Sequence, residues 1–294
     1  MHMGSQPSFV GGISNSRKVK NRLFGWFCFA SIAVAVLILI YLLASIVIDG
    51  APRLSAQFFG SFPSRLPARA GIKAALFGTI WVVGLSTLIA VPIGVAAAIY
   101  LEELKVRNNR FTDFIQVNIA NLAGVPSIVY GLLGLALFVR WLAFDRSILS
   151  GALTMALLIL PMIILISQEA LKAVPNSYRD ASLALGATKW QTIRRQVLPN
   201  AAPGIFTGII LAVSRAIGET APLITIGAAT AWFVPSKVSD SFTVLPIQIF
   251  DWSSRAQKGF HENAAAAILV LLIVLVALNG VAIVLRAKAQ KKAA

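Results

Sequence analysis

Two charged residues stand four apart in an otherwise apolar stretch, Ser214-Arg-Ala-Ile-Gly-Glu-Thr-Ala-Pro-Leu223. At helical spacing, Arg215 and Glu219 project from one face. A guanidinium offers a planar fork of donors that suits phosphate-like oxygens. An ionised carboxylate beside it only accepts hydrogen bonds. It can accept from the hydroxyl of hydrogenphosphate, whereas sulfate at neutral pH has no hydroxyl to donate. A polar group left unpaired by the wrong ligand is how strong rejection of a close analogue arises. Arg before Glu is the less favourable order for a helical pair, which argues against mutual neutralisation as its whole purpose. The competing reading is a buried ion pair that fixes subunit packing.

The setting of the pair is a membrane. Of the 294 residues 57% are hydrophobic and 13% charged, and the mean hydropathy is +0.80, which excludes a soluble domain. Six apolar stretches, near 23–48, 74–101, 114–139, 147–167, 202–230 and 264–285, are long enough to cross a core of about 30 Å. The first reads as a retained anchor, because no small-residue cleavage site closes it. Counted from Pro203, Arg215 lies 12 residues into the fifth span, about 18 Å at 1.5 Å per residue, with Glu219 about 6 Å further. A charge at that depth costs at least ~2.5–3.5 kcal/mol, so such residues face the bundle interior and usually have a task.

Net charge is +15, yet most basic residues flank the spans and read as orientation signals, not as a nucleic-acid surface. Sixteen fall on the side of the two termini and of residues 168–200, and nine on the other side. Both termini and the 168–200 insert are therefore expected in the cytoplasm, with 231–263 outside. The expected divisions are a tail 1–22, a first span 23–48, an outer connection 49–73, a core 74–285 that includes the insert, and a tail 286–294. Met1-His2-Met3 reads as a cloning remnant. Cys28 is the only cysteine and the two histidines are far apart, so no disulfide or metal set is expected. No P-loop and no nucleophile–base set is visible, so the chain is not expected to be an enzyme or to bind a cofactor.

Spans 2–5 each carry a proline, Pro92, Pro126, Pro161 and Pro222, while spans 1 and 6 carry none. A membrane proline frees a carbonyl that other protein or a wet cavity must satisfy. Spans 2–5 are thus expected to form the packed core, with spans 1 and 6 facing lipid or wrapping a partner. In span 3, Gly124, Pro126 and Ser127 rule out a straight Leu-type helix; close helix packing explains the small residues as well as a pathway does. The aromatic residues Trp232, Phe233, Phe242, Trp252 and Phe260 of the outer loop fit interfacial anchoring, with docking of an external protein as the alternative.

The insert, QEALKAVPNSYRDASLALGATKWQTIRRQVLPN from Gln168 to Asn200, is too charged to cross a bilayer. It predicts two short helices. Ser177 with Asp180 forms a loose capping box, Gly186 supplies a left-handed stop, and Thr188 with Gln191 forms a second box. The second helix is expected to end before Pro199. Ala181, Leu185 and Trp190 make an apolar face suited to a partner's groove, or to a membrane surface with no partner.

Asp180-Ala181-Ser182, then Gly186, then Leu198-Pro199 resemble the "EAA" loop of ABC importer permeases, with Asp180 where Glu is usual and Gln196 where an apolar residue is usual. Arg215 to Leu223, Leu245-Pro-Ile-Gln-Ile-Phe250, His261-Glu-Asn-Ala264 and the segment Asn121–Gly131 resemble phosphate-specific ABC importer permeases of the PstA type, a likeness running from Gly71 to Arg286. The resemblance implies an all-α fold of six transmembrane helices with a coupling-helix insert, the type I ABC importer permease fold, in a bacterial inner membrane. It implies a heterodimer with a second permease, a homodimeric cytoplasmic ATPase that carries ATP and Mg, and a periplasmic phosphate-binding protein. It places Ser214, Arg215, Glu219 and Thr220 on the substrate pathway, shaped by Pro126, Ser127, Gly218 and Pro222. ATPase coupling falls to Asp180, Ala181, Ser182, Leu185, Gly186 and Trp190. A permease for another oxyanion (sulfate, molybdate or phosphonate) shares the same insert.

Overall fold

The computed structural model describes residues 15–104, 110–228 and 231–293. Met1-His2-Met3 and the basic residues Lys105 and Arg107 lie outside the described residues, as do the side chains of Arg17, Lys18 and the basic C-terminal tail. Contacts divide the chain into two units, Met1–Ile48 and Asp49–Ala294. The first is carried by α1 (Asn15–Gly50), whose run from Leu23 to Ile48 carries no charge and is apolar on all sides, as a helix in lipid must be.

Among its described residues the second unit is built of helices, with non-helical connections and one isolated bridge, Ser147 with Ser241. A 3-10 turn (Ala51–Arg53), α2 (Ala56–Gly60) and a second 3-10 turn (Pro67–Arg69) lead into α3 (Lys73–Ile99), which ends in a π-helical segment, Tyr100–Leu104. Then come α4 (Arg110–Ala123) and α5 (Ser127–Gly134), the latter running into a π segment, Leu135–Trp141. Next are α6 (Ile148–Lys172), α7 (Asn176–Ala184), α8 (Lys189–Thr192), a π segment Ile193–Val197 and α9 (Leu198–Gly218). The chain closes with α10 (Ala221–Ile226), α11 (Leu245–Ser253) and α12 (Lys258–Ala293). Among the described residues five helices are long and apolar enough to cross a membrane, or six spans if α4 and α5, bent by 104° at their junction, count as one.

The hub is α6. Of its most apolar stretch 67% is buried, against 28% for α3, α9 and α12. Small residues explain this. Gly151 receives the ring of Phe242, and Thr154 fills the space left by Gly134 of α5. Gly94 of α3 and Gly208 of α9 leave room for Ile163 and Ile166 of α6. Without a hydrophobic drive between helices in lipid, such close approach is what holds spans together.

The four prolines separate into two kinds. Pro92 and Pro161 lie inside continuous helices, whereas Pro126 caps α5 and Pro222 lies in the first turn of α10. The last two mark breaks. The fifth span is therefore not one helix over 202–230: α9 stops at Gly218 and α10 restarts at Ala221. A proline lacking an N–H is welcome in a first helical turn, so a break just upstream of it costs little.

Three further expectations change. Helix α8 does not end before Pro199 but continues through the π segment into α9, a 30-residue run from Lys189 to Gly218. The wider π turn takes up the register change where Pro199 supplies no N–H. Second, the outer loop is not merely an interfacial belt. Phe242, Trp252 and Phe260 are buried at 1%, 0% and 2% exposure, whereas Trp232, Phe233 and Phe250 are exposed. Phe242 packs at Gly151 of α6, Trp252 and Phe260 cluster with Phe58 of α2, and the start of α11 is fixed to α3. The backbone N–H of Leu245 donates to Thr79 Oγ1 at 2.9 Å, and a Cβ on Gly78 would overlap the Thr243 carbonyl. Third, α12 is core at its start, with Ala264, Ala266, Ala267 and Val270 packed beside Phe58 and Trp252, and exposed further on at Ile273 and Val276.

The rest of the outer loop is pinned by backbone bonds to the start of α6, Ile148 N–H to Asp240 O at 3.0 Å and Leu149 N–H to Val238 O at 2.9 Å. Backbone N–H groups of Lys237 and Ser236 donate to the Asp240 carboxylate and hold its pKa below the ordinary carboxylate range.

Candidate functional site

Arg215 sits in the last turn of α9, and Glu219 is its C-cap, with extended backbone at φ −77° and ψ 123°. The turn remains helical up to Gly218, so the expected i, i+4 contact forms: Arg215 Nε donates to Glu219 Oε1 at 3.2 Å. The guanidinium is not consumed by it. Arg215 keeps 49% of its side chain exposed and Glu219 19%. Ser214 is tied to the neighbouring span, its Oγ donating to Asn279 Oδ1 of α12 at 3.2 Å. Thr220 begins α10 without a side-chain capping bond, and its carbonyl accepts from the N–H groups of Leu223 and Ile224.

A second break faces the first. Chain direction changes over Gly124-Val125-Pro126, with Ser127 opening α5. At the break the Leu122 carbonyl accepts twice, from the Val125 N–H at 3.1 Å and from Tyr130 Oη at 2.8 Å, so the lost helical turn leaves it well satisfied. Helix α5 then packs on α10 through Gly131, where a Cβ would meet Thr225 and Pro222. Pro126 and Ser127 thus belong to one broken span, Gly218 and Pro222 to the other, and α5 and α10 are in contact. Broken helices of this kind are where irregular backbone at membrane depth is tolerated, because it is buried in protein or lines a cavity.

The insert forms the second candidate surface. Gly186 has φ +82°. Its N–H donates to Leu183 O at 2.9 Å and that of Ala187 to Ser182 O at 3.2 Å, the paired closing bonds of a Schellman stop. The Thr188–Gln191 box is complete, with Gln191 N–H donating to Thr188 Oγ1 at 3.3 Å and Thr188 N–H to Gln191 Oε1 at 2.8 Å. The Ser177–Asp180 box does not form. Helix α7 is capped by Pro175 without a side-chain bond, which puts Ser177 inside the helix. Ser182 joins α7 to α8 through Thr192 Oγ1 at 2.9 Å. Tyr178, Ala181, Ser182, Leu185, Gln191 and Arg195 border a cleft of about 290 Å³. Leu185 stands 89% exposed at its edge; Trp190 is 54% exposed and is not part of its lining. Asp180 is exposed.

Sequence reasoning missed Tyr130, Gly131 and Asn279. Asn279 had a signal, a lone amide in an apolar span; Gly131 had none, because Pro222 and Thr225 are distant in the chain, and Tyr130 reaches Leu122, eight residues back, only because the chain bends between them. Among the described residues no cluster of His, Cys, Asp or Glu is placed to hold a metal ion.

Residues 90–292 match the family model described as "Binding-protein-dependent transport system inner membrane component". The chain is 34% identical over 292 residues to "Phosphate transport system permease protein PstA 1" of Mycobacterium tuberculosis, covering 98% of this chain and 95% of that one. It is 36% identical over 236 residues to "Probable ABC transporter permease protein YqgI" of Bacillus subtilis, covering 80% of each. It is 33% identical over 260 residues to the phosphate transport system permease protein PstA of Haemophilus influenzae, 88% of this chain and 91% of the other. Among solved structures, a chain of the MetNI methionine ABC transporter in an inward-facing conformation superposes with a TM-score of 0.62 at 16% identity, covering 73% of this chain and 94% of that chain. A chain of a bacterial alginate ABC transporter superposes with a TM-score of 0.64 at 15% identity, covering 90% and 94%. The fold is that of type I ABC importer permeases, with the helical insert 168–200 between α6 and α9, and the chain belongs to the binding-protein-dependent transport system inner membrane component family, as an ABC importer permease.

Proposed function

We propose that this chain is the permease subunit of an ATP-driven inorganic phosphate importer. It forms the translocation pathway with a second, homologous permease and couples to a homodimeric ATPase through residues 168–200. ATP and Mg belong to the ATPase, and a periplasmic phosphate-binding protein delivers the anion; this chain itself holds no cofactor. The observation that carries the reading is the Arg215–Glu219 pair at a helix break in an otherwise apolar segment, with the Arg215 side chain half exposed. Relatives named as phosphate transport permeases over nearly the whole chain support the choice of anion. Uptake of labelled phosphate by proteoliposomes holding the complex purified through this chain tests it. Phosphate and arsenate, which share a hydroxyl at neutral pH, should compete, and excess sulfate should not. Equal competition by sulfate or molybdate would move the reading to another oxyanion.

The same reading places both termini and the insert in the cytoplasm. Single cysteines at Ser55, Ser239 and Ser177, all exposed, in a Cys28→Ala background should divide two to one. In whole cells an impermeant thiol reagent should label the first two, and Ser177→Cys only after permeabilisation. Labelling of Ser177→Cys alone in intact cells would invert the orientation.

A further inference from the structure

Helix α7 buries none of its own residues. No apolar face fastens it to the membrane core, so polar contacts must. The contact that reaches beyond the insert is made by Arg179. Its Nε donates to both Glu103 oxygens at 3.2 Å, and Nη2 donates to Glu103 and to the Leu171 carbonyl, the latter at 2.9 Å. Nη1 donates to the Val174 carbonyl at 2.7 Å and to Asn176 Oδ1 at 3.3 Å. The pair is largely shielded, with 18% of the Arg179 side chain and 8% of Glu103 exposed.

The partners matter more than their number. Glu103 lies in the π-helical end of the span begun by α3. Leu171 is in the last turn of α6 and Val174 just beyond it. One guanidinium therefore grips the ends of two spans, and those two share the most extensive helix packing in the chain. A guanidinium suits this because its donors form a rigid plane; an ammonium is a point charge on a flexible stem. We propose that Arg179 and Glu103 form the strut that passes movement of α7 to the α3–α6 pair. They are positioning residues for coupling and touch neither the ATPase nor the anion. The inference rests on reading 168–200 as the coupling insert.

The test uses the importer complex purified through this chain, reconstituted with its binding protein, and reads phosphate carried per ATP hydrolysed beside the amount of ATPase retained. Glu103→Gln and Arg179→Lys should keep the ATPase at wild-type stoichiometry while phosphate per ATP falls about tenfold, as for residues that modulate coupling between sites. Arg179→Cys/Glu103→Cys, in a Cys28→Ala background, should fall likewise. Bridging its two thiols with a short bifunctional reagent after assembly should restore the ratio, which a folding defect would not permit. A wild-type ratio in Glu103→Gln and in the unbridged double-cysteine protein would overturn the strut, as would a low ratio that bridging leaves unchanged. Loss of the ATPase from the variants alone would also overturn it, by making the pair part of the docking surface. Absence of an ATPase from the wild-type complex would instead sink the reading of the insert itself.

Discussion

Arg215→Met/Glu219→Leu complexes are expected to assemble normally and to carry no phosphate. The prediction turns on the state of the guanidinium. In a purely structural pair, removing one partner leaves an uncompensated buried charge, at a cost of about 3–5 kcal/mol, while replacing both with apolar residues is often neutral. The double variant would then recover transport lost in either single one. An arginine whose side chain is 49% exposed and that holds its carboxylate by one bond of 3.2 Å is a poor candidate for that role. If it meets the anion, the double variant loses the site and nothing restores it. Arg215→Lys should also transport poorly, by roughly 10- to 100-fold, since a point charge forfeits a charge-assisted hydrogen bond worth about 1.5–3 kcal/mol. Glu219→Gln separates recognition from packing. An amide both donates and accepts, so phosphate uptake should persist while exclusion of sulfate weakens. Uptake by proteoliposomes, with and without excess sulfate, is the measurement. Recovery of uptake in the double variant, or unchanged sulfate exclusion in Glu219→Gln, would count against the site.

Gly186→Val is expected to uncouple ATP hydrolysis from transport in a protein that still folds. At φ +82° the position suits glycine, and a β-branched side chain there costs about 1–3 kcal/mol of backbone strain. Nothing lies within 4 Å of where a Cβ would sit, so the whole cost is conformational and none of it is a clash. Strain of that size is enough to shift the α7–α8 arrangement by roughly 5- to 150-fold. The open space also supplies a control: Gly186→Asn, which tolerates the left-handed region, should remain close to wild type. Substrate-stimulated ATPase activity of the reconstituted complex reads the difference. Full stimulation in Gly186→Val, or equal loss in Gly186→Asn, would reject the stop as the part that aligns the insert.

Much of this protein is local, and local features are legible in a chain. Hydropathy placed six spans because a lipid core accepts little else than long apolar helices. Gly186 and the Thr188–Gln191 box were readable because a left-handed stop and a reciprocal cap are each fixed by residues three to five apart. The Arg215–Glu219 contact was readable for the same reason. What the tertiary structure decided is which local signals prevail. Pro92 and Pro161 are absorbed in helices packed on one another, while Pro126 and Pro222 follow glycine-bearing breaks that close against each other through Gly131. Nothing in the apolar pattern around each proline distinguishes the two kinds, because what a break packs against is set elsewhere in the chain, as Gly131 of α5 meets Pro222 and Thr225 of α10. The aromatic residues of the outer loop looked alike, yet a Thr79 hydroxyl and the space at Gly78, well over a hundred residues away, decide that Phe242 and Trp252 are core. Arg179 and Glu103 gave no signal at all: a charge in a polar insert and another at the end of a span become a buried pair only when the fold brings together two positions 76 apart in the chain.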